Sequence, residues 1–167
     1  MGDYTVGVLT LSDKGSRGER EDTSGAMLKA LFSGLDGYSV VLYTVIADNQ
    51  SLITATLTQW VDESGIDLIV TTGGTGVSPS DQTPEATRSV IDREVPGLAE
   101  AMRQASLTKT VQAVWSRGIA GIRKESLIIN LPGSEKAARE NIEAILPALA
   151  HGLYKLKGGT ADCGTGV

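Results

Sequence analysis

The chain has 167 residues, enough for one domain with a substantial core. Hydrophobic residues make up 41% and charged residues 21%, an ordinary globular balance that excludes a disordered chain. The formal charge of -5 leaves no basic footprint for DNA or RNA. No apolar run reaches the roughly 18 residues of a membrane span, and the opening MGDYTVGVLTLSD lacks the basic and long apolar regions of a signal peptide. The single cysteine, Cys163, has no internal disulfide partner and no companions for a zinc site. The expectation is a cytoplasmic protein acting on small molecules, with one domain over 1–157 and a flexible glycine-rich tail over 158–167.

In chain order, YTVGVLTLS is rich in β-branched residues and apolar on both faces, which predicts a buried strand. DKGSRGERED reads as a loop. Thr23 and Ser24 are capping types at the start of a helix that ends near Gly34 or Gly37. YSVVLYTVI predicts a second strand. In the next helix, Ile53, Leu57, Trp60 and Val61 recur at i, i+4, i+7 and i+8, one apolar face, and Gly65 marks its close. DLIVTT predicts a third strand. TPEATRSVIDRE begins a helix with Thr83 as its cap and Pro84 in its first turn, and Pro96 ends it and starts another. SLIINLPGS is a fourth strand with a turn. A last helix runs from about Ser134 to Ala150, with Pro147 an awkward residue near its end.

Strands alternating with helices predict an α/β fold: three layers, α/β/α, around a mostly parallel sheet. Ligands of such sheets bind beyond the carboxyl ends of the strands, where strand order reverses. Those ends here carry Ser12 and Asp13, Asp48, Thr72 to Gly76 with Asp81, and Asn130 to Ser134.

Several of these features admit two readings. GGTG, Gly73 to Gly76, is either a tight strand-to-helix connection or a nest of backbone N–H groups for phosphate. It matches neither the P-loop nor the dinucleotide pattern. Asp48 either caps the helix near Asn49 or joins Asp81, at the end of a neighbouring strand, in holding Mg²⁺. NLPGS either links strand to helix or offers amides and the Ser134 hydroxyl to an anion. His151 reads as a surface residue, Cys163 lacks activating neighbours, and Ser12, Ser78 and Ser116 lack triad partners, so covalent catalysis is disfavoured.

LTLSD, DTSG at Asp22 to Gly25, TTGGTGVSPSDQTPEAT, EVPGLAEAMRQASL, WSRGIAGIRKESLIINLPGS and ILPALAHGLYKL resemble, in order, the molybdopterin adenylyltransferases of molybdenum-cofactor biosynthesis. The plant and gephyrin G domains share the same pattern. The similarity spans Val6 to Leu156 and implies a trimeric α/β domain. It also implies transfer of AMP from Mg²⁺-ATP to the terminal phosphate of molybdopterin, with release of pyrophosphate and hand-off of the product to a molybdenum-insertion enzyme. Carried over by position, Asp48 and Asp81 fall on the acidic sites associated with Mg²⁺ and catalysis. Gly73, Gly74, Thr75 and Gly76 fall on the nucleotide-phosphate loop. Ser12, Asp13, Asp22, Ser78, Ser116 and the turn Pro132, Gly133, Ser134 match positions of the pterin or nucleotide pocket. Many relatives have an arginine where this chain has Ser80, and Asn-Pro where it has Ser134-Glu135. The alternatives are a molybdopterin-binding paralogue or scaffold with little catalysis and, more remotely, a nucleotide hydrolase.

Overall fold

A computed structural model describes residues 4–160. The elements, in order, are β1 (Tyr4–Leu11), α1 (Asp13–Ser16), α2 (Thr23–Ser33), β2 (Tyr38–Ile46), α3 (Gln50–Asp62), β3 (Leu68–Thr72), α4 (Thr83–Val90), β4 (Arg93–Glu94), α5 (Pro96–Leu107), a 3-10 turn (Val111–Trp115), β5 (Ala120–Arg123), β6 (Ser126–Leu131) and α6 (Glu135–Leu156).

The six strands form one sheet in the order β2-β1-β3-β6-β5-β4. β2, β1, β3 and β6 are parallel, while β5 and β4 add an antiparallel edge. β1 connects to β2 on one side, and the chain then crosses to β3 on the other, so strand order reverses between β1 and β3. The expected three-layer, mostly parallel α/β/α architecture is present.

Alternation along the strands builds the layers. Val6 and Val8, Leu68 and Val70, and Leu127, Ile129 and Leu131 face α2, α5 and α6, meeting Phe32, Met102, Ile142 and Leu149. Leu9, Leu11, Ile69 and Ile128 face the other way, onto Ile53, Leu57 and Trp60 of α3 and Ala86 and Val90 of α4. Burial of each such Val, Leu, Ile or Phe side chain stabilises by roughly 1.5–3 kcal/mol. Both faces of β1, β3 and β6 are covered, and this is why their sequences are apolar runs instead of alternating ones. β2, at the edge, alternates, with Val41 and Tyr43 exposed.

Several local expectations change. DKGS forms the one-turn helix α1, because Ser12 Oγ accepts from Gly15 N at 3.0 Å and caps it. Asp22 caps α2, ahead of Thr23 and Ser24, and Asn49 caps α3 in place of Asp48. Thr83 lies inside α4, whose cap position is Gln82; its hydroxyl donates instead to Gly73 O at 3.0 Å. α4 also stops at Val90, since Asp92 N donates to Ile122 O at 2.7 Å and turns the chain toward the sheet edge. α6 continues past Ala150 to Leu156 with Pro147 inside it, placing His151 exposed on the helix. Cys163 and most of the anticipated tail lie outside the described residues.

Candidate active site

The carboxyl ends of β1, β2, β3 and β6 open on a cleft of about 720 Å³ at the point where strand order reverses. The loops after β1 and β3 form its two sides, and the β6–α6 turn, Gly133 to Glu135, completes the wall. Ser12, Asp22, Asp48, Gly73, Gly74, Gly133 and Ser134 all line it. The fold therefore gathers residues that are more than 120 positions apart in sequence.

The β3 end explains the glycines. Gly73 has φ +103° and Gly74 φ +65°, backbone conformations that L side chains rarely adopt. A Cβ at Gly73 would stand 2.3 Å from Leu11 O, and one at Gly74 would stand 2.3 Å from Thr83 Oγ1 and 2.9 Å from Asp48 Oδ1. The turn is thus both strained for other residues and pressed against its neighbours. Gly73 N is bonded to Leu131 O at 3.2 Å. The amides of Gly74, Thr75 and Gly76 have no acceptor among the described residues, which leaves them open to an anion.

Asp48 is the most exceptional group of the cleft. Its Oδ1 is buried without a hydrogen-bond partner. Burial pushes its carboxyl above the usual range, and the Asp13 charge and, least, the Asp81 charge push it further, against the opposing effect of the Asp13 backbone N–H. In the other direction, Asp48 N donates to Asp13 Oδ1 at 3.0 Å. A buried, unsatisfied acceptor repelled by two other carboxylates costs stability, and it is relieved by a cation. Asp48 and Asp81 do not lie at the ends of adjacent strands, as expected, because β1 stands between β2 and β3. Asp81 acts on Asp48 only as a like charge, the least of the causes that raise its carboxyl.

Asp81 Oδ2 accepts from Ser78 N at 2.8 Å, and Ser78 Oγ lies 3.2 Å from Ser80 Oγ. None of Asp81, Ser78 and Asp13 lines the cleft directly, and Asp13 reaches it only through its bond from Asp48 N. Asp22, by contrast, is filled by protein: Thr10 Oγ1 and Tyr43 Oη donate to Oδ2 at 2.7 and 2.6 Å, and Gly25 N donates to Oδ1 at 2.9 Å. Burial first, and then this bond and the Asp22 charge, push the Tyr43 hydroxyl up to about 12. Asp22 therefore shapes the floor of the cleft. Asn130, at the end of β6, is likewise absorbed by structure, donating to Thr71 Oγ1 and Thr87 Oγ1.

The other anticipated residues belong to a second cavity of about 340 Å³, between the 3-10 turn, α5 and α6. Thr75, Gly76, Ser116 and Pro132 line it, and Gly133 borders both spaces. Arg103 shapes its wall by donating to Gly118 O at 2.9 Å, and the exposed Trp115 stands at its edge. The GGTG loop divides the two cavities, with Gly74 on one side and Thr75 and Gly76 on the other.

Among the described residues, no three His, Cys, Asp or Glu side chains converge as a metal cage. The orphaned Asp48 oxygen nonetheless suits a hard cation, and Mg²⁺ takes only one or two carboxylates when substrate phosphates and water supply the rest. Two cations escaped the sequence reading. Among the described residues, Arg20 is the only Lys or Arg lining the larger cleft, and nothing in the polar run around it set it apart. Arg117 follows Ser116 in WSRG, yet its partners are far away in sequence, so no local pattern marked it.

The family model described as "Probable molybdopterin binding domain" matches residues 7–151. The chain belongs to this family. A molybdopterin adenylyltransferase of Helicobacter pylori is 45% identical over 150 residues, covering 87% of this chain and 84% of that protein. The crystal structure of the molybdopterin biosynthesis enzyme MoaB from Thermus thermophilus is 51% identical, with a TM-score of 0.87 over 93% of this chain and 97% of that one. Gephyrin of Dictyostelium discoideum is 42% identical over 160 residues, 90% of this chain but 22% of gephyrin. Both the expected family and its relation to gephyrin are thereby established.

Proposed function

We propose that this protein is a molybdopterin adenylyltransferase, transferring AMP from ATP to the terminal phosphate of molybdopterin. A phosphate oxygen of molybdopterin attacks the α-phosphorus of ATP, the bond from that phosphorus to the β-phosphate oxygen breaks, and pyrophosphate leaves. The observation that carries the reading is the unsatisfied Asp48 oxygen against the glycine turn at Gly74, in a cleft at the reversal of strand order. Relatives bearing that enzyme's name over most of the chain support it.

The attacking oxygen comes from the substrate, so no protein nucleophile is required. The chain's contribution is in-line positioning and charge neutralisation. In this reading the amides of Gly74 to Gly76 and the Gly133-Ser134 turn hold phosphate oxygens. Asp48, with Asp81 and Asp13 behind it, would hold Mg²⁺, which when bound neutralises phosphate charge. Asp22 and Ser12 keep the walls of the cleft in place, and Thr75, Gly76, Ser78, Ser116 and Pro132 serve the second substrate or the dividing loop. The reading carries with it a trimeric assembly in the cytoplasm and delivery of the product to a molybdenum-insertion enzyme. Among the described residues, no helix is long and apolar enough to cross a membrane.

The test is purified protein with ATP, Mg²⁺ and molybdopterin, monitored for adenylyl-molybdopterin and pyrophosphate in equal amounts. Tight molybdopterin binding with no pyrophosphate would instead identify a non-catalytic binding protein, and ATP turnover without molybdopterin would identify a hydrolase.

A further inference from the structure

Arg117 lies behind the dividing loop and makes four contacts, two to the loop and two to the chain that follows it. Its Nε donates to Gly76 O at 2.6 Å and its Nη2 to Asp81 O at 2.7 Å. Its Nη1 pairs with Glu85 on the first turn of α4, and its own backbone N–H donates to Thr75 O at 2.9 Å. One residue thus brackets both ends of the exposed segment Val77 to Ser80. The carboxylate of Asp81 rests on that segment, through Ser78 N.

The ion pair with Glu85 is not the main part of this arrangement. The two side chains are 36% and 42% exposed, and pairs in such surroundings contribute little to stability. The two carbonyl contacts are different, because they use the planar, forked donors of a guanidinium to fix two backbone positions at once. A lysine has a single donor group there and cannot span both. Ser116 and Trp115, just before Arg117, line the smaller cavity. The same residue therefore joins the wall of that cavity to Asp81.

We propose that Arg117 is a positioning residue for AMP transfer, holding the open amides of Thr75 and Gly76 and the carboxylate of Asp81 in register with Asp48. This rests on the adenylyltransferase reading. Arg117 touches no substrate in this role; it acts through the loop. The chain lacks an arginine at Ser80, directly before Asp81, and Arg117 reaches the same aspartate from a different element, through its carbonyl.

The role predicts a specific pattern in Arg117→Ala and Arg117→Lys. A displaced loop costs on the order of 10²-fold in kcat when reacting groups move by about an ångström, so Arg117→Ala should fall by that order, with its apparent Mg²⁺ requirement raised. Arg117→Lys, which keeps charge but not the fork, should fall between wild type and alanine. Added guanidinium should restore part of the Arg117→Ala rate, a response that mere loss of stability would not give. Amide hydrogen exchange of the peptide spanning residues 74–82 should accelerate in Arg117→Ala. Wild-type kcat and Mg²⁺ dependence in Arg117→Ala would overturn the role, and if that variant does not fold, wild-type behaviour of Arg117→Lys would do so. Wild-type protein that transfers no AMP would overturn the adenylyltransferase reading itself, whereas active wild type with an indifferent Arg117 overturns this inference alone.

Discussion

Asp48 and Asp67 occupy opposite edges of one sheet and show what a partly buried carboxylate does when its bonds are filled and when they are not. Asp67 stands just before β3, at the amino edge. Its Oδ2 accepts from Thr5 N and Thr5 Oγ1 at 2.8 and 2.9 Å, its Oδ1 pairs with Lys157 Nζ at 2.6 Å, and its own N–H donates to Thr5 Oγ1 at 3.0 Å. Burial alone would raise its carboxyl; the bonds to Lys157 and Thr5 outweigh burial and lower it. Asp48, at the carboxyl edge, has burial and like charges pushing the same way and an oxygen with no donor. The first carboxylate fastens β1 to β3 and α6. The second is a cost to the fold that only a ligand removes.

That contrast breaks first at Asp48. Asp48→Asn should lower the rate of AMP transfer on the order of 10²–10³-fold, as loss of one preorganised electrostatic group does, while raising the melting temperature at pH 7. The sign follows from the raised carboxyl: the folded state binds the proton more tightly than the unfolded state, so ionisation at neutral pH weighs against folding. Wild-type turnover in this variant would remove Asp48 from the site.

Asp67→Asn should do the reverse, leaving kcat unchanged and lowering unfolding free energy by roughly 1.5–3 kcal/mol, the range for hydrogen bonds to a charged group. Because the folded carboxyl of Asp67 is depressed, its contribution is fully present above the unfolded value of about 3.9 and fades as pH falls through the folded value. Urea unfolding of wild type and variant should therefore converge in acid. A gap that does not narrow as the pH falls would assign the stabilisation to the shape of the side chain, not its charge.

The smallest effect belongs to Lys157→Ala. Its side chain is 45% exposed, so the loss should be about 0.5 kcal/mol and should shrink in high salt. A loss as large as that of Asp67→Asn would make the ion pair, and not the Thr5 bonds, the main clasp.

The sequence made the four parallel strands legible because their apolar runs have one physical cause, burial on both faces. It made the cleft legible because Ser12, Asp48, Gly73 and Gly133 sit where such strands end. β5 was not legible: AGIR is four residues with a glycine and an arginine, and it is a strand only because β6 offers it an edge. The caps shifted by one residue at α2 and α3 because adjacent side chains, Asp22 with Thr23 and Asp48 with Asn49, are all competent acceptors, and backbone geometry chooses between them. Arg117 was invisible for a different reason. Its partners are carbonyls, which every residue has, 36 and 41 positions away.

The strand order also governs how the chain can be assembled as it is made. β3 is central, yet one of its two neighbours is β6, and α4, β4, α5 and β5 are synthesised between them. Until Ser126–Leu131 has emerged, the edge of Leu-Ile-Val-Thr-Thr that β6 will cover has unpaired backbone groups and apolar side chains on both sides. Such an edge invites pairing with other chains. The same connectivity that places the glycine loop between two cavities thus obliges the nascent protein to carry its stickiest strand half-dressed for much of its synthesis.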